Sequence, residues 1–277
     1  MTVMTDRHDI AAPDVLWSMT GGIARITLNR PDRSNALDRA LADALIEATA
    51  VCAADETVRV LVLDARGRNF SAGGDVAPLA GDRDVADRLT VDMTDRLHQV
   101  VATIAGLSIP VIAVAQGYAV GGGLGLLCAA DLVIAAESAK FMTGFGRIGL
   151  ATDCGVGYTL PRLVGARTAL DLILTNRVVD AAEALRIGIA SRVVPDADLA
   201  SATDELARTL ADGPRQAFAA AKCLIRDGAT LSFPEHLARE QAAQRALCQT
   251  DDARNRIRSL FDGPTASPSA ARRTSSG

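Results

Sequence analysis

Short apolar runs alternate with longer amphipathic stretches through the first half of this chain. Residues 15–28 read as two short strands around Gly21-Gly22, a hairpin signal, and Asn29-Arg30-Pro31-Asp32 breaks the pattern. Leu37, Leu41, Leu45 and Ala48 recur at helical spacing. They predict an amphipathic helix over residues 37–51, with Ser34 or Asn35 as its cap. Residues 58–63 form a short buried strand, and residues 66–75 a glycine-containing loop. Residues 84–107 are helical and stop before Pro110. A second buried strand covers 110–115, after which Gly121-Gly122-Gly123 opens an apolar helix that runs to Ala130. Residues 132–135 give a third strand. Strands alternating with helices predict an α/β layered core.

The rhythm changes after Ala181. Residues 199–211, 216–226, 234–248 and 251–261 carry helical spacing with short connections. The expected organisation is a core over 13–198 and a helical region over 199–262. Residues 1–12 read as a loose leader. Residues 263–277, made of Pro, Ser, Thr, Ala, Arg and Gly, read as a disordered tail.

Composition narrows the function. Of 277 residues, 49% are hydrophobic and 22% charged, a globular profile. Lys and Arg number 29 against 33 Asp and Glu, so no basic excess attracts a phosphate backbone. With only 6 Phe, 2 Tyr and 1 Trp there is little to stack on bases, which excludes nucleic acid as an expected partner. No run approaches a membrane span, and the N-terminus has no apolar signal core, so a cytoplasmic location is expected. The five cysteines are scattered without a C-x-x-C pair, which points to free thiols. The three histidines, His8, His98 and His236, are far apart, so neither a metal site nor a Ser-His-Asp triad is expected.

Glycine is ordinary in amount and uneven in placement. One cluster, Phe70-Ser71-Ala72-Gly73-Gly74-Asp75, follows the first buried strand; the other, Gly117 to Gly125, follows the second. Glycine admits positive φ and lets a ligand approach the main chain. A glycine run at a helix start presents unpaired N–H groups at the positive end of the dipole. Two such loops on neighbouring strands can aim one N–H each at a single oxygen. The plain alternative is that both are turns at strand-to-helix junctions.

These motifs, in order, resemble the crotonase (enoyl-CoA hydratase/isomerase) superfamily. The resemblance runs from Ile23 to Phe261. It is carried by Thr27-Leu28-Asn29-Arg30-Pro31, Ser34-Asn35-Ala36-Leu37, the two glycine clusters, Pro110-Val111-Ile112-Ala113 and Leu160-Pro161-Arg162-Leu163-Val164-Gly165. It implies a spiral of ββα units, a C-terminal helical trimerisation region and assembly as a homotrimer or homohexamer. It also implies an acyl-CoA thioester as substrate, with no metal. By the same resemblance, the oxyanion donors are the backbone N–H groups of Gly74 and Gly122. Coenzyme A would lie along residues 33–37 and 72–76, with Arg33, Ala36, Ala72, Gly74, Asp75, Val76 and Gly122 as contacts.

The sequence departs from a hydratase at two places. Hydratases of the superfamily carry one Glu two residues after the glycine triplet, where this chain has Gly125, and a second at the position of Phe145. One carboxylate remains nearby, Asp153 in Thr152-Asp153-Cys154-Gly155, where family isomerases hold their single acid or base. The stretch is closest to the 1,2-epoxyphenylacetyl-CoA isomerase type. A double-bond shift needs one proton shuttle, and Met142, Phe145 and Leu150 would line the acyl pocket around it. The expected activity is therefore enoyl-CoA isomerisation with Asp153 as shuttle. Hydration, thioester hydrolysis and CoA-ester binding without catalysis are the alternatives. Taken without the resemblance, Asp153 reads as a helix cap. His98 reads as a residue of the polar face or a satisfied interior one, and Cys154 as a buried thiol. Asp131 reads as a turn-holder, Asp75 as the cap of the element after the first loop, and residues 81–88 as a solvated segment. Lys222 and Arg226 read either as contacts to CoA phosphates or as a solvated face.

Overall fold

A computed structural model describes residues 14–261. The expected leader and tail lie outside the described residues. Val15–Thr20 (β1) and Ile23–Leu28 (β2) pair antiparallel around Gly21 and Gly22, whose φ values of 58° and 78° suit the tight hairpin turn. Then follow Arg39–Ala54 (α1), Val60–Ala65 (β3), Arg83–Gly106 (α2), Val111–Ala115 (β4), Tyr118–Val120 (β5) and Gly122–Ala129 (α3). Leu132–Ala136 (β6), Lys140–Met142 (β7), Val156–Val164 (α4), Ala166–Thr175 (α5), Val179–Asp180 (β8) and Ala181–Ile187 (α6) continue the chain. Arg192–Val194 (β9) and Leu199–Ala211 (α7) complete this part.

The main sheet has the order β1-β2-β3-β4-β6-β9, and every pairing after the hairpin is parallel. Because side chains alternate along a strand, each strand feeds two cores. Ile26, Leu61, Leu63, Val111 and Ala113 face the larger one, with Leu41 and Leu45 of α1 and Val100 and Ile104 of α2. Val60, Val62, Ile112, Val114 and Ile134 face the smaller one, closed by Leu206, Ala207 and Ala211 of α7. A second sheet, β5-β7-β8, stands apart.

Two expectations are corrected here. The compact unit runs through Arg215, so the boundary expected after residue 198 falls later. The reason is α7: its apolar stripe covers one face of the sheet, and it belongs to the core. The second unit begins at Gln216 and holds α8 (Arg215–Asp227) beyond its first residue, α9 (Phe233–Leu247) and α10 (Asp251–Phe261). The cap of α1 is also neither Ser34 nor Asn35. Asp38 caps it, its carboxylate accepting from the Leu41 N–H at 3.1 Å.

Candidate active site

Asn35 has a structural task instead. It is fully buried with φ 51°, a left-handed conformation that Asn tolerates. Its Oδ1 accepts from the Arg30 N–H at 2.8 Å, and its Nδ2 donates to the carbonyls of Arg66 and Asn69, each at 2.9 Å. The Ser71 hydroxyl donates to the Asn35 carbonyl at 2.8 Å. One side chain and one carbonyl thus tie residues 30–37 to the first glycine loop.

That loop is then stitched on both sides. On one side, the Leu37 N–H donates to Gly73 O at 2.8 Å and the Asp75 N–H to Leu37 O at 2.9 Å. The Ala72 N–H donates to Ser34 O at 2.9 Å, and Arg33 pairs with Asp75 at 3.7 Å. The two segments expected to hold coenzyme A, with Arg33, Ala36, Ala72, Asp75 and exposed Val76, are therefore neighbours. Asp75 also accepts from the Ala77 N–H at 3.3 Å, at the start of the 3-10 turn Ala77–Ala80.

On the other side, the first loop runs parallel to the second. The Phe70 N–H donates to Gln116 O, Ser71 N–H to Tyr118 O, and Val120 N–H back to Ser71 O, at 2.9 to 3.0 Å. Gly73 has φ 90°, and a Cβ there would lie 2.7 Å from the Val120 carbonyl, so only glycine fits this approach. Past the contact, Gly121 takes φ 56° and α3 begins at Gly122. The N–H groups of Gly74 and Gly122 have no hydrogen-bond partner among the described residues. The first is on an exposed residue; the second opens a buried helix.

The expected acid and pocket residues sit around α3. The segment after β7 folds back through the 3-10 turn Phe145–Ile148, and half-buried Phe145 places its ring 3.8 Å from a Cβ at Gly121. Met142 is half-buried and Leu150 is exposed. Cys154, with φ 51°, turns the chain into α4. Its sulfur lies 3.1 Å from where a Cβ on Gly122 would stand. Its Cβ and carbonyl oxygen both lie 2.6 Å from a Cβ at Gly125. The Cys154 backbone thus occupies the space a larger side chain at 125 would need.

Asp153 does not cap α4, whose N-cap is Gly155 without a side-chain bond. Its Oδ2 accepts from the Cys154 thiol at 3.7 Å, which places the carboxyl one side chain from Gly122. Its Oδ1 stands 2.5 Å from Nε2 of His98 on α2. With the carboxylate ionised, Nε2 carries the hydrogen. This pair, 55 residues apart in sequence, was not foreseen. The available signal was position: His98 flanks the buried stripe Leu97, Val100, Val101 and Ile104, so it lies at the edge of a core-facing surface. Burial and the neighbouring Asp153 charge push the Cys154 thiol well above its ordinary pKa, so it remains a protonated donor.

The remaining candidates have other roles. Asp131 accepts from the Val111 N–H at 2.8 Å and holds the turn before β6. Lys222 and Arg226 lie on α8 in the second unit, each with an interaction partner. Among the described residues no group of three His, Cys, Asp or Glu is placed to hold a metal ion, and no helix is long and apolar enough to cross a membrane.

Known proteins share this fold over nearly the whole chain. Residues 18–262 match the family described as enoyl-CoA hydratase/isomerase. The 1,2-epoxyphenylacetyl-CoA isomerase of Escherichia coli is 34% identical, covering 88% of this chain and 93% of its own. The 4-chlorobenzoyl coenzyme A dehalogenase-2 of Arthrobacter is 34% identical over 76% of this chain and 77% of its own. The crystal structure of the enoyl-CoA hydratase from Bacillus anthracis superposes with a TM-score of 0.84 at 28% identity, covering 90% of this chain and 96% of that one. The chain belongs to the enoyl-CoA hydratase/isomerase family and is a crotonase-fold acyl-CoA enzyme.

Proposed function

We propose that the enzyme shifts a carbon–carbon double bond in an acyl-CoA thioester, with Asp153 as its proton shuttle. One observation carries this reading: the Asp153 carboxyl stands one side chain from the start of α3, while Gly125 and Phe145 occupy the places where, by the family resemblance, a hydratase has acids. The thioester oxygen accepts from the N–H groups of Gly74 and Gly122, which are free to donate. Removal of a proton from the α-carbon of a 3-enoyl thioester turns this oxygen into an enolate, which the two donors stabilise. Asp153 takes that proton and returns it two carbons away, so no water is consumed. The crowding of position 125 by Cys154 supports isomerisation over hydration, because a second carboxylate has no room there. Arg33, Ala36, Ala72, Asp75 and Val76 line the path of coenzyme A, and Met142, Phe145 and Leu150 border the acyl group. Large exposed apolar side chains on the second unit, among them Ile225, Phe233 and Leu260, suit burial between copies in a homotrimer or homohexamer.

Incubation with 3-hexenoyl-CoA tests the reading. Isomerisation leaves the mass unchanged and hydration of the product adds water. Asp153→Asn should abolish turnover while CoA-ester binding persists; an active Asn variant overturns the assignment.

The His98–Asp153 contact favours a second reading. A carboxylate held by an imidazole suits attack as a nucleophile, with the imidazole then activating water to cleave the resulting ester. On a halobenzoyl thioester the carboxylate forms an aryl ester, halide leaves with the bonding pair, and water restores the acid and yields a phenol. Chloride release from 4-chlorobenzoyl-CoA distinguishes this reaction from the double-bond shift.

A further inference from the structure

The Asp153 carboxyl has two differently placed oxygens. Oδ2 is on the side of the Cys154 thiol, whose sulfur reaches toward Gly122. Oδ1 is on the side of His98, 2.5 Å from Nε2. The His98 side chain is 56% exposed, whereas that of Asp153 is 26% exposed. An imidazole has two nitrogens, and one that binds a carboxyl through Nε2 can exchange protons with water through Nδ1. We propose that His98 is the route by which Asp153 exchanges its proton with solvent, a role that rests on Asp153 being the shuttle. His98 is a positioning residue here, because it touches Asp153 and acts through it.

The step balances without a further reactant. Asp153 takes a proton from the α-carbon on one oxygen, and the carboxyl turns about its Cβ–Cγ bond to present that oxygen to His98. Once protonated, Asp153 no longer needs a hydrogen from Nε2, so the imidazole exchanges through water to the tautomer with its hydrogen on Nδ1; Nε2 then takes the carboxyl proton as Nδ1 releases its own to water, which restores the Nε2–H form beside the ionised carboxylate. The reverse passage delivers a solvent proton to Asp153, which then protonates the distant carbon. Exchange through His98 competes with direct return of the original proton, so the two routes differ in the origin of the hydrogen in the product.

The experiment is isomerisation of 3-hexenoyl-CoA in deuterated water, read as deuterium per product molecule by mass spectrometry. Product from the wild type should carry solvent deuterium. In His98→Gln and His98→Asn the deuterium per product should fall about tenfold or more, because the proton then returns directly. Normalising to product separates this from any change in rate, which a merely structural role would produce. Protium-only product from the wild type overturns the proposal without any variant. Equal deuterium in all three proteins also overturns it, while leaving the isomerase reading intact. Loss of all turnover in both variants overturns it as well, since direct return needs no relay. If the wild type forms no isomer, the isomerase reading fails and the relay fails with it.

Discussion

A Cβ on Gly125 would lie 2.6 Å from both the Cβ and the carbonyl oxygen of Cys154. The neighbour is backbone at a left-handed turn, which cannot swing aside as a side-chain end can. Gly125→Ala should therefore destabilise the fold by about 1–3 kcal/mol through overpacking. Gly125→Glu should cost more and should create no hydratase. Thermal melts and mass-read assays on 2-hexenoyl-CoA check both outcomes.

Gly122 presents the opposite case. A Cβ there would meet the Cδ1 end of Leu37 at 2.9 Å and the Cys154 sulfur at 3.1 Å. Both can shift, so Gly122→Ala should remain folded. The added methyl crowds the N–H proposed to hold the thioester oxygen, and turnover should fall by about 10²–10³. Steady-state rates measured beside a circular dichroism melt separate the two effects.

Asn35→Ala should weaken the fold by about 2–4 kcal/mol, because it leaves the Arg30 N–H and the Arg66 and Asn69 carbonyls without their partner. It also places Ala in a left-handed conformation. Urea denaturation measures the loss. Because Asn35 ties residues 30–37, on the proposed coenzyme A path, to the first glycine loop, the KM for acyl-CoA should rise in the same variant.

The cysteines should divide by pH. Burial pushes the Cys52 and Cys128 thiols up to about 12. Burial and Asp153 raise Cys154 as well. A raised thiol pKa keeps the unreactive protonated form through neutral and mildly alkaline pH. Iodoacetamide at pH 8.0, where about a quarter of an ordinary thiol is ionised, should label exposed Cys223 and Cys248 and spare the other three. Peptide mapping by mass spectrometry reads the pattern, and early labelling of Cys154 contradicts it.

What the sequence made legible follows from the range of the interactions. The hairpin is local: two glycines and flanking alternation suffice. The helices α1, α2 and α7 to α10 carry long periodic stripes, and their residues appear where the spacing predicts. β5, β7 and β8 hold two or three residues each, too few to show alternation, and they form by pairing with one another. The cap of α1 was misplaced because Ser34, Asn35 and Asp38 are all good cap residues, and only the tertiary bonds of Asn35 assign it elsewhere. For the candidate site, motif resemblance alone singles out Asp153, Gly125 and Phe145. It does not single out the partner of Asp153, because only the packing of α2 brings His98 to it.

The parallel stitching of residues 70–73 to 116–120 has a consequence for how such enzymes change. Strand spacing, about 4.8 Å, fixes the separation of the two glycine loops, so the two proposed oxyanion donors form one rigid module. Asp153, the proposed acid, hangs from a separate turn, docked against that module through Cys154 and α2. Substitutions in the turn can therefore replace one reaction by another without re-registering the donors. Thioester activation and reaction choice are separately mutable, and a lineage can diversify its chemistry while its carbonyl grip stays constant.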